Sequence, residues 1–399
     1  MPSKQSEQGE KAHLSAQKLI AATLSAWELE GSGGVSGRSL AGSAGLPMSA
    51  IYYHFGDLDR LLETAQAEAR AETEHWCAAQ LDAIGADVRG PAALGPLMAA
   101  LIDDWCETRR TLAFARREGQ VMAMRDERHA PVSAKWDDLW QGFWREVCER
   151  LDLADLATLT GWVFDGASGL HMMRWRRPVD RAALSELCDG WGNWAAGRVA
   201  DESPWFEMAK RDALALMPPP PPEDETAKAI AVAAATVVAQ RGVTGLTHRA
   251  VAAEAGLTLG VVSYKFRTSA DLLKAAFDTI YRRLAPSTNE PLPATGGSKT
   301  RPPLGRADLL GTEELSVAAA RDPAFSAFAA QLRYLRGAAS GRVVQREFGP
   351  DVRMGPIDAA IASCLMGGRV RAYVAGGRAQ DPDPEYGDFG PLLARFARR

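Results

Sequence analysis

Cysteine is sparse and unpaired in this sequence: five thiols, Cys77, Cys106, Cys148, Cys188 and Cys364, stand in 399 residues with no C-x-x-C spacing. That pattern excludes a disulfide-stapled secreted scaffold and a cysteine-based zinc site, and it fits a reducing compartment. No run of 18 apolar residues occurs, so no membrane-spanning helix is expected. The opening stretch MPSKQSEQGEKAHLS is polar and lacks the apolar core of a signal peptide, so a cytoplasmic location is expected. The six histidines (His13, His54, His75, His129, His171 and His248) form no metal-ligand spacing. No G-x-S-x-G, phosphate-cradling glycine loop or H-E-x-x-H is present, so no enzymatic activity, cofactor or metal is expected. His171 lies near Asp165 and Ser168, but on a helix this reads more simply as a buried or solvated polar set. Strand-type alternation is rare, whereas Ala- and Leu-rich stretches are long, which points to an all-α fold. The net charge of −4 offers no global attraction for nucleic acid.

What is present is enough apolar residue, 46% against 24% charged, to build a sizeable core, in a chain long enough for two or more domains. The decisive feature is a repeat. Residues 16–65 align without a gap on residues 227–276 at a constant offset of 211. VSGRSLAGSAGLPMSAIYYHFGDLDRLLETA sits over LTHRAVAAEAGLTLGVVSYKFRTSADLLKAA. Gly31/Gly242, Arg38/Arg249, Ala41/Ala252, Gly45/Gly256, Leu46/Leu257, Tyr53/Tyr264, Phe55/Phe266 and Leu61/Leu272 are shared. One repeat of this length and separation implies a duplicated domain rather than a solenoid.

Each copy reads as helix, loop, helix, tight turn, helix. Leu19, Ile20, Leu24 and Trp27 share a face of the first helix, matched by Ile230, Ala234, Val237 and Val238. Gly31 and Gly242 stand where that helix ends. Ser36 and Thr247 are N-caps for the next helix, which Ala44-Gly45 and Ala255-Gly256 close. Pro47 begins the third helix without losing a needed donor, and Thr258 caps its counterpart. A helix, a short glycine turn and a second helix form the arrangement that puts the second helix into a DNA major groove.

Both copies resemble the N-terminal domain of TetR-family regulators. The first supplies Leu19, Ala22, Trp27, Gly31, Ser36, Arg38, Leu40, Ala41, Ala44, Gly45, Ile51, Tyr52, His54 and Phe55 of the family pattern. The second supplies Ile230, Ala233, Val238, Gly242, Thr247, Arg249, Val251, Ala252, Ala255, Gly256, Gly260, Val262 and Phe266. The resemblance implies a sequence-specific transcription regulator, a ligand-responsive repressor, with recognition helices over 47–54 and 258–265. It implies DNA contacts from Ser36, Arg38, Met48, Ser49, Ala50, Tyr52, Tyr53 and His54 in the first copy. In the second they come from Thr247, His248, Arg249, Leu259, Gly260, Val261, Ser263, Tyr264 and Lys265. The guanidinium groups of Arg38 and Arg249 suit guanine O6 and N7. Departures are Ser263 and Lys265, where the family shows Tyr and His, and Leu58 and Ser269, where it often shows a phosphate-gripping lysine.

Local charge separates the copies. Window 16–65 has three basic residues (Lys18, Arg38, Arg60) against five acidic ones, whereas 227–276 has six against two (Glu254, Asp271). The second head is therefore the stronger electrostatic anchor for phosphate. The acidic first head and the missing lysines leave a non-DNA-binding adaptor as the alternative reading.

The expected organisation is a disordered tail (1–15), head 1 (16–65), a helical ligand-binding and dimerisation-like domain (66–215), a Pro-rich linker (216–225), head 2 (226–285), a flexible linker (286–306) and a helical C-terminal domain (307–399). Ten of the eleven tryptophans fall within 66–215. They either pack as core or line a pocket for a small-molecule effector, with Trp105, Trp136, Trp140, Phe143, Trp144, Trp162 and Phe164 as its candidate residues. By the resemblance, residues 153–175 with 181–199, and 357–376 with 388–398, correspond to the family's dimerisation helices, and small residues around Gly166 and Gly367 allow close approach. The expectation is an intramolecular pseudo-dimer, with an ordinary homodimer as the other possibility.

Overall fold

In the computed structural model, which describes residues 4–85, 87–217, 224–284, 306–349, 352–376 and 389–397, every regular element among those residues is a helix. The first half comprises α1 (Lys4–Leu29), α2 (Gly37–Ser43), α3 (Ser49–Phe55), α4 (Leu58–Ala83), α5 (Pro91–Glu107), α6 (Arg110–Arg125), α7 (Ala130–Arg150), α8 (Ala157–His171), α9 (Arg177–Ala195) and α10 (Pro204–Ala215). The second comprises α11 (Glu225–Arg241), α12 (His248–Ala255), α13 (Leu259–Lys265), α14 (Ser269–Leu284), α15 (Arg306–Arg321), α16 (Ser326–Tyr334), α17 (Ala338–Phe348), α18 (Pro356–Ala375) and α19 (Gly390–Phe396).

The starts of these helices are written locally. Proline occupies the first turn of α5, α7, α9, α10, α18 and α19, where its missing N–H costs no helical bond. Asp57 caps α4 by accepting from the Arg60 amide, and Asp224 caps α11 by accepting from Thr226 and Ala227. Helix α1 begins at Lys4, so the stretch expected to be a tail over 1–15 is helical from residue 4. Its Gln, Glu, Lys and Ala are good helix formers, with Gly9 the weakest position before Leu14. Residues 218–223 of the Pro-rich linker and 285–305, which include nearly all of the second linker, lie outside the described residues.

The bodies of the two halves pack on each other. Helix α8 crosses α18 closely, α18 also reaches α9, α19 lies on α9, and α6 lies against α15. At the α8–α18 crossing, a Cβ added to Gly166 would collide with the backbone of Cys364, and one added to Gly368 with the backbone of Trp162. These two glycines, rather than Gly367, set the close approach. An added Cβ on Gly367 meets only the Arg371 side chain of its own helix, at 3.5 Å.

Several contacts between the halves come in exchanged pairs. Arg321 of α15 bridges Glu118 of α6, and Arg125 of α6 bridges Glu314 of α15. Arg110 donates to the Ala320 carbonyl at 2.5 Å, and Arg306 donates to the Met124 carbonyl at 2.7 Å. The short turns after the first helix of each head, Ser32–Gly34 and Val243–Gly245, touch each other. In these contacts the same residue types meet twice with the partners' roles swapped.

Candidate nucleic-acid interface

Both heads fold as the same unit. In the first, Ser36 caps α2 by accepting from the Ser39 amide, and the Ser39 hydroxyl in turn accepts from the Ser36 amide, a full capping box. In the second, Thr247 caps α12 through the Ala250 amide at 3.1 Å. The turns that follow pass through Gly45 at φ 65° and Gly256 at φ 66°, a left-handed conformation that a side chain disfavours. The third helices start at Ser49 and Leu259, within two residues of the expected spans, and Thr258 caps α13.

Packing decides which face each third helix shows. Ile51 and Val262 are buried and pin α3 against α1 and α2, and α13 against α12. The helical period then turns the neighbouring positions outward. Tyr53 is 77% exposed and Tyr264 79%, with Tyr52, Met48, Leu259 and Val261 also exposed. Ser36, Arg38, Ser49, Thr247, Arg249, Gly260, Ser263 and Lys265 are exposed too, while Ala50, His54 and His248 are half-buried. Phe55 and Phe266 pack against the core, so each aromatic pair divides into an outward tyrosine and an inward phenylalanine.

Besides the caps Ser36 and Thr247, His248, His54 and Lys265 are engaged within the chain. The His248 ring nitrogen Nε2 bonds the Phe266 carbonyl at 2.7 Å, tying α12 to the end of α13. His54 meets the Tyr53 ring edge-on at 4.8 Å. Lys265 bridges Asp224 at 2.5 Å, which raises the lysine's pKa through that hydrogen bond and lowers the aspartate's. The one basic residue of α13 therefore lies against the cap of α11. Leu58, at the position of the family's lysine, packs against the core, whereas Ser269 is exposed.

The aromatic set expected as core or pocket is a nest of rings. Trp140 lies 5.0 Å from Trp105, 5.8 Å from Phe143 and 4.5 Å from Phe164, and Trp144 lies 5.2 Å from Phe164. The rings fill the space between α4, α5, α7 and α8 with one another. Trp136 is held by an indole bond to Gln66 Oε1 at 2.8 Å, and Trp162 faces Tyr373 across the seam. Phe143 also borders an open groove of about 700 Å³ between α4 and α7, whose lining includes Arg70, Leu81, Lys135 and Glu146.

His171, Asp165 and Ser168 do not converge. His171 Nε2 pairs with Asp103 at 3.0 Å, Asp165 with Arg116 and Arg117, and the Ser168 hydroxyl donates to the Asp165 carbonyl. The five cysteines are free and buried, and burial pushes the Cys77 thiol up to about 12. Among the described residues no helix is long and apolar enough to cross a membrane.

The residues joining heads to bodies escaped the sequence reading. Glu118 accepts the Ser32 amide at 2.7 Å, directly after α1, while Arg321 donates to the Trp27 carbonyl near the end of the same helix. The Val243 amide and Glu314 repeat the first contact in head 2, where burial raises the Glu314 pKa against the opposing pull of Arg125. A signal existed: Glu118, Val121, Ala123, Arg125 and Asp126 match Glu314, Val317, Ala319, Arg321 and Asp322 at an offset of 196. No family model matches the chain, and no curated protein is significantly similar to it.

Proposed function

We propose that this chain is a sequence-specific DNA-binding transcription regulator that uses two non-identical helix-turn-helix heads, its halves acting as an intramolecular pseudo-dimer. The observation that carries the reading is the same capped three-helix unit occurring twice, each with an anchored third helix that turns a tyrosine outward and with an exposed arginine on the preceding helix. Phosphate contacts orient such a helix in the major groove, and the few base contacts select sequence. Arg38 and Arg249 are the base-reading candidates, with Tyr52, Tyr53, Ser263, Tyr264 and Lys265 as phosphate or thymine-methyl contacts.

The reciprocal contacts between α6 and α15, and between α8 and α18, support the pseudo-dimer. A homodimer with identical heads reads a palindrome, so heads bearing PMSAIYYH and TLGVVSYK read an asymmetric operator. Repression follows from the TetR resemblance, as does control by a small-molecule effector.

Selection of bound genomic DNA, followed by mobility shift, tests the reading. Arg38→Ala and Arg249→Ala should each cost about 1–3 kcal/mol of binding and relax specificity in one half-site only. Unaltered binding in both variants refutes the base-reading assignment and favours the adaptor. A perfectly palindromic footprint, or a solution in which only a two-chain species binds, counts against the pseudo-dimer.

A further inference from the structure

We propose that the cavity at the seam between α8, α15 and α18 binds one small monovalent anion, of halide to formate size. Its polar wall is made by Arg117 of the first half and by Glu313, Ser316, Arg336, Ser363 and Arg371 of the second. Leu170, Met172 and Val317 close the apolar side. The free space is about 20 Å³, room for one water-sized occupant.

Charge selects the occupant. Asp165 is shared among three arginines: Arg116 at 2.7 Å, Arg117 at 3.2 Å and Arg371 at 2.6 Å. Arg371 also reaches Glu313 at 2.9 Å, and these two bonds use its Nε and Nη1. Glu313 is the carboxylate that acts most strongly on Arg336 among the described residues, with Arg371 beside it, and burial in that company lowers the Arg336 pKa. Among the described residues, four guanidinium groups thus stand around two carboxylates. Asp137 is within electrostatic reach of Arg116, and counting it still leaves the cations one ahead. The Cys364 thiol, which also lines the cavity, is pushed up to about 11 by burial and stays neutral.

A guanidinium does not shed its proton at ordinary pH, and buried charge without a counterion is costly. A small anion beside Arg336 and Arg371 removes that imbalance, whereas a metal cation adds to it. The volume excludes anything much larger. Because its lining comes from both halves, an occupied cavity ties α8 to α15 and α18.

Chloride itself is the probe. The chloride NMR line should broaden in the presence of wild-type protein beyond what exposed arginines produce, and Arg89→Met, which removes a surface arginine, should leave that excess unchanged. Arg336→Met should weaken chloride binding about tenfold, the order expected for one lost charged hydrogen bond. Formate should displace chloride, and glutamate, too large to enter, should not. Absence of the excess broadening, its persistence in Arg336→Met, or equal competition by glutamate overturns the proposal. If Arg336→Met does not fold, bromide-soaked crystals of the wild type decide: an anomalous peak in this cavity supports the site, and an empty cavity refutes it.

Discussion

Replacing Arg321 with methionine should loosen head 1 from the body, because one guanidinium from the second half holds two groups of the first. Arg321 donates to the Trp27 carbonyl at 3.0 and 3.2 Å and bridges Glu118, whose carboxylate also receives the Ser32 amide. The Glu118 side chain is 3% exposed and that of Arg321 14%. Without the arginine, Glu118 keeps one neutral donor and the Trp27 carbonyl loses its partner. Removing one member of a buried pair costs roughly 3–5 kcal/mol, and the partial exposure of Arg321 places this case near 3. Glu118→Gln alone, which keeps the shape and removes the charge, should cost about 2 kcal/mol. Because the two substitutions break one interaction, the double variant should cost about 3.5 kcal/mol rather than their sum, a coupling near 1.5. Urea unfolding of the wild type, both single variants and the double variant measures it. At the reciprocal site, Arg125 and Glu314 are 27% and 12% exposed, so Arg125→Met should cost less, about 1–2 kcal/mol. Additivity within about 0.5 kcal/mol, or a larger loss from Arg125→Met than from Arg321→Met, would refute the reasoning.

Other substitutions test other parts of the fold. Gly166→Ala and Gly368→Ala drive a methyl into the facing backbone and should each destabilise by about 1–3 kcal/mol, while Gly367→Ala should change the melting temperature little. Asp224→Asn releases Lys265 from its bridge, so DNA affinity should rise and its salt dependence steepen by about one phosphate contact; an unchanged slope would show that Lys265 takes no part. Burial pushes the Asp165 pKa up, but Arg117, Arg116 and Arg371 pull it further the other way, to a net value below the ordinary one. The unfolded chain therefore binds the proton first as pH falls. The stabilisation from Asp165 is complete above its unfolded value of about 3.9 and is lost on acidification below it. Asp165→Asn should be less stable at neutral pH and show a shallower acid-induced loss, measured by unfolding at a series of pH values.

Much of each head was legible because its determinants are local. A cap at Ser36 or Thr247, a glycine that tolerates positive φ, and apolar residues at helical spacing act within a few residues of chain. The sign of the tyrosines' exposure was not legible, since it depends on which residue pins the third helix. Once Ile51 and Val262 point inward, Tyr53 and Tyr264 must point out. The tryptophan-rich stretch left core and pocket open for a similar reason: composition counts rings, whereas only packing says whether they leave a hole or fill it. Here Trp105, Trp140, Phe143 and Phe164 fill it.

The sequence by itself determined the helical class, the repeat and the positions of the short capped helices within each copy, because caps, turns and apolar periodicity are properties of short segments. Tertiary structure alone decided that Gly368 rather than Gly367 meets α8, since a shift of one residue turns a helix face by about 100°. It alone brought Arg321 to Glu118 and Arg125 to Glu314, some two hundred residues apart, and set Arg117, Arg336 and Arg371 around one cavity. Charges that distant in sequence acquire partners only when two separately written halves close on each other and exclude water between them.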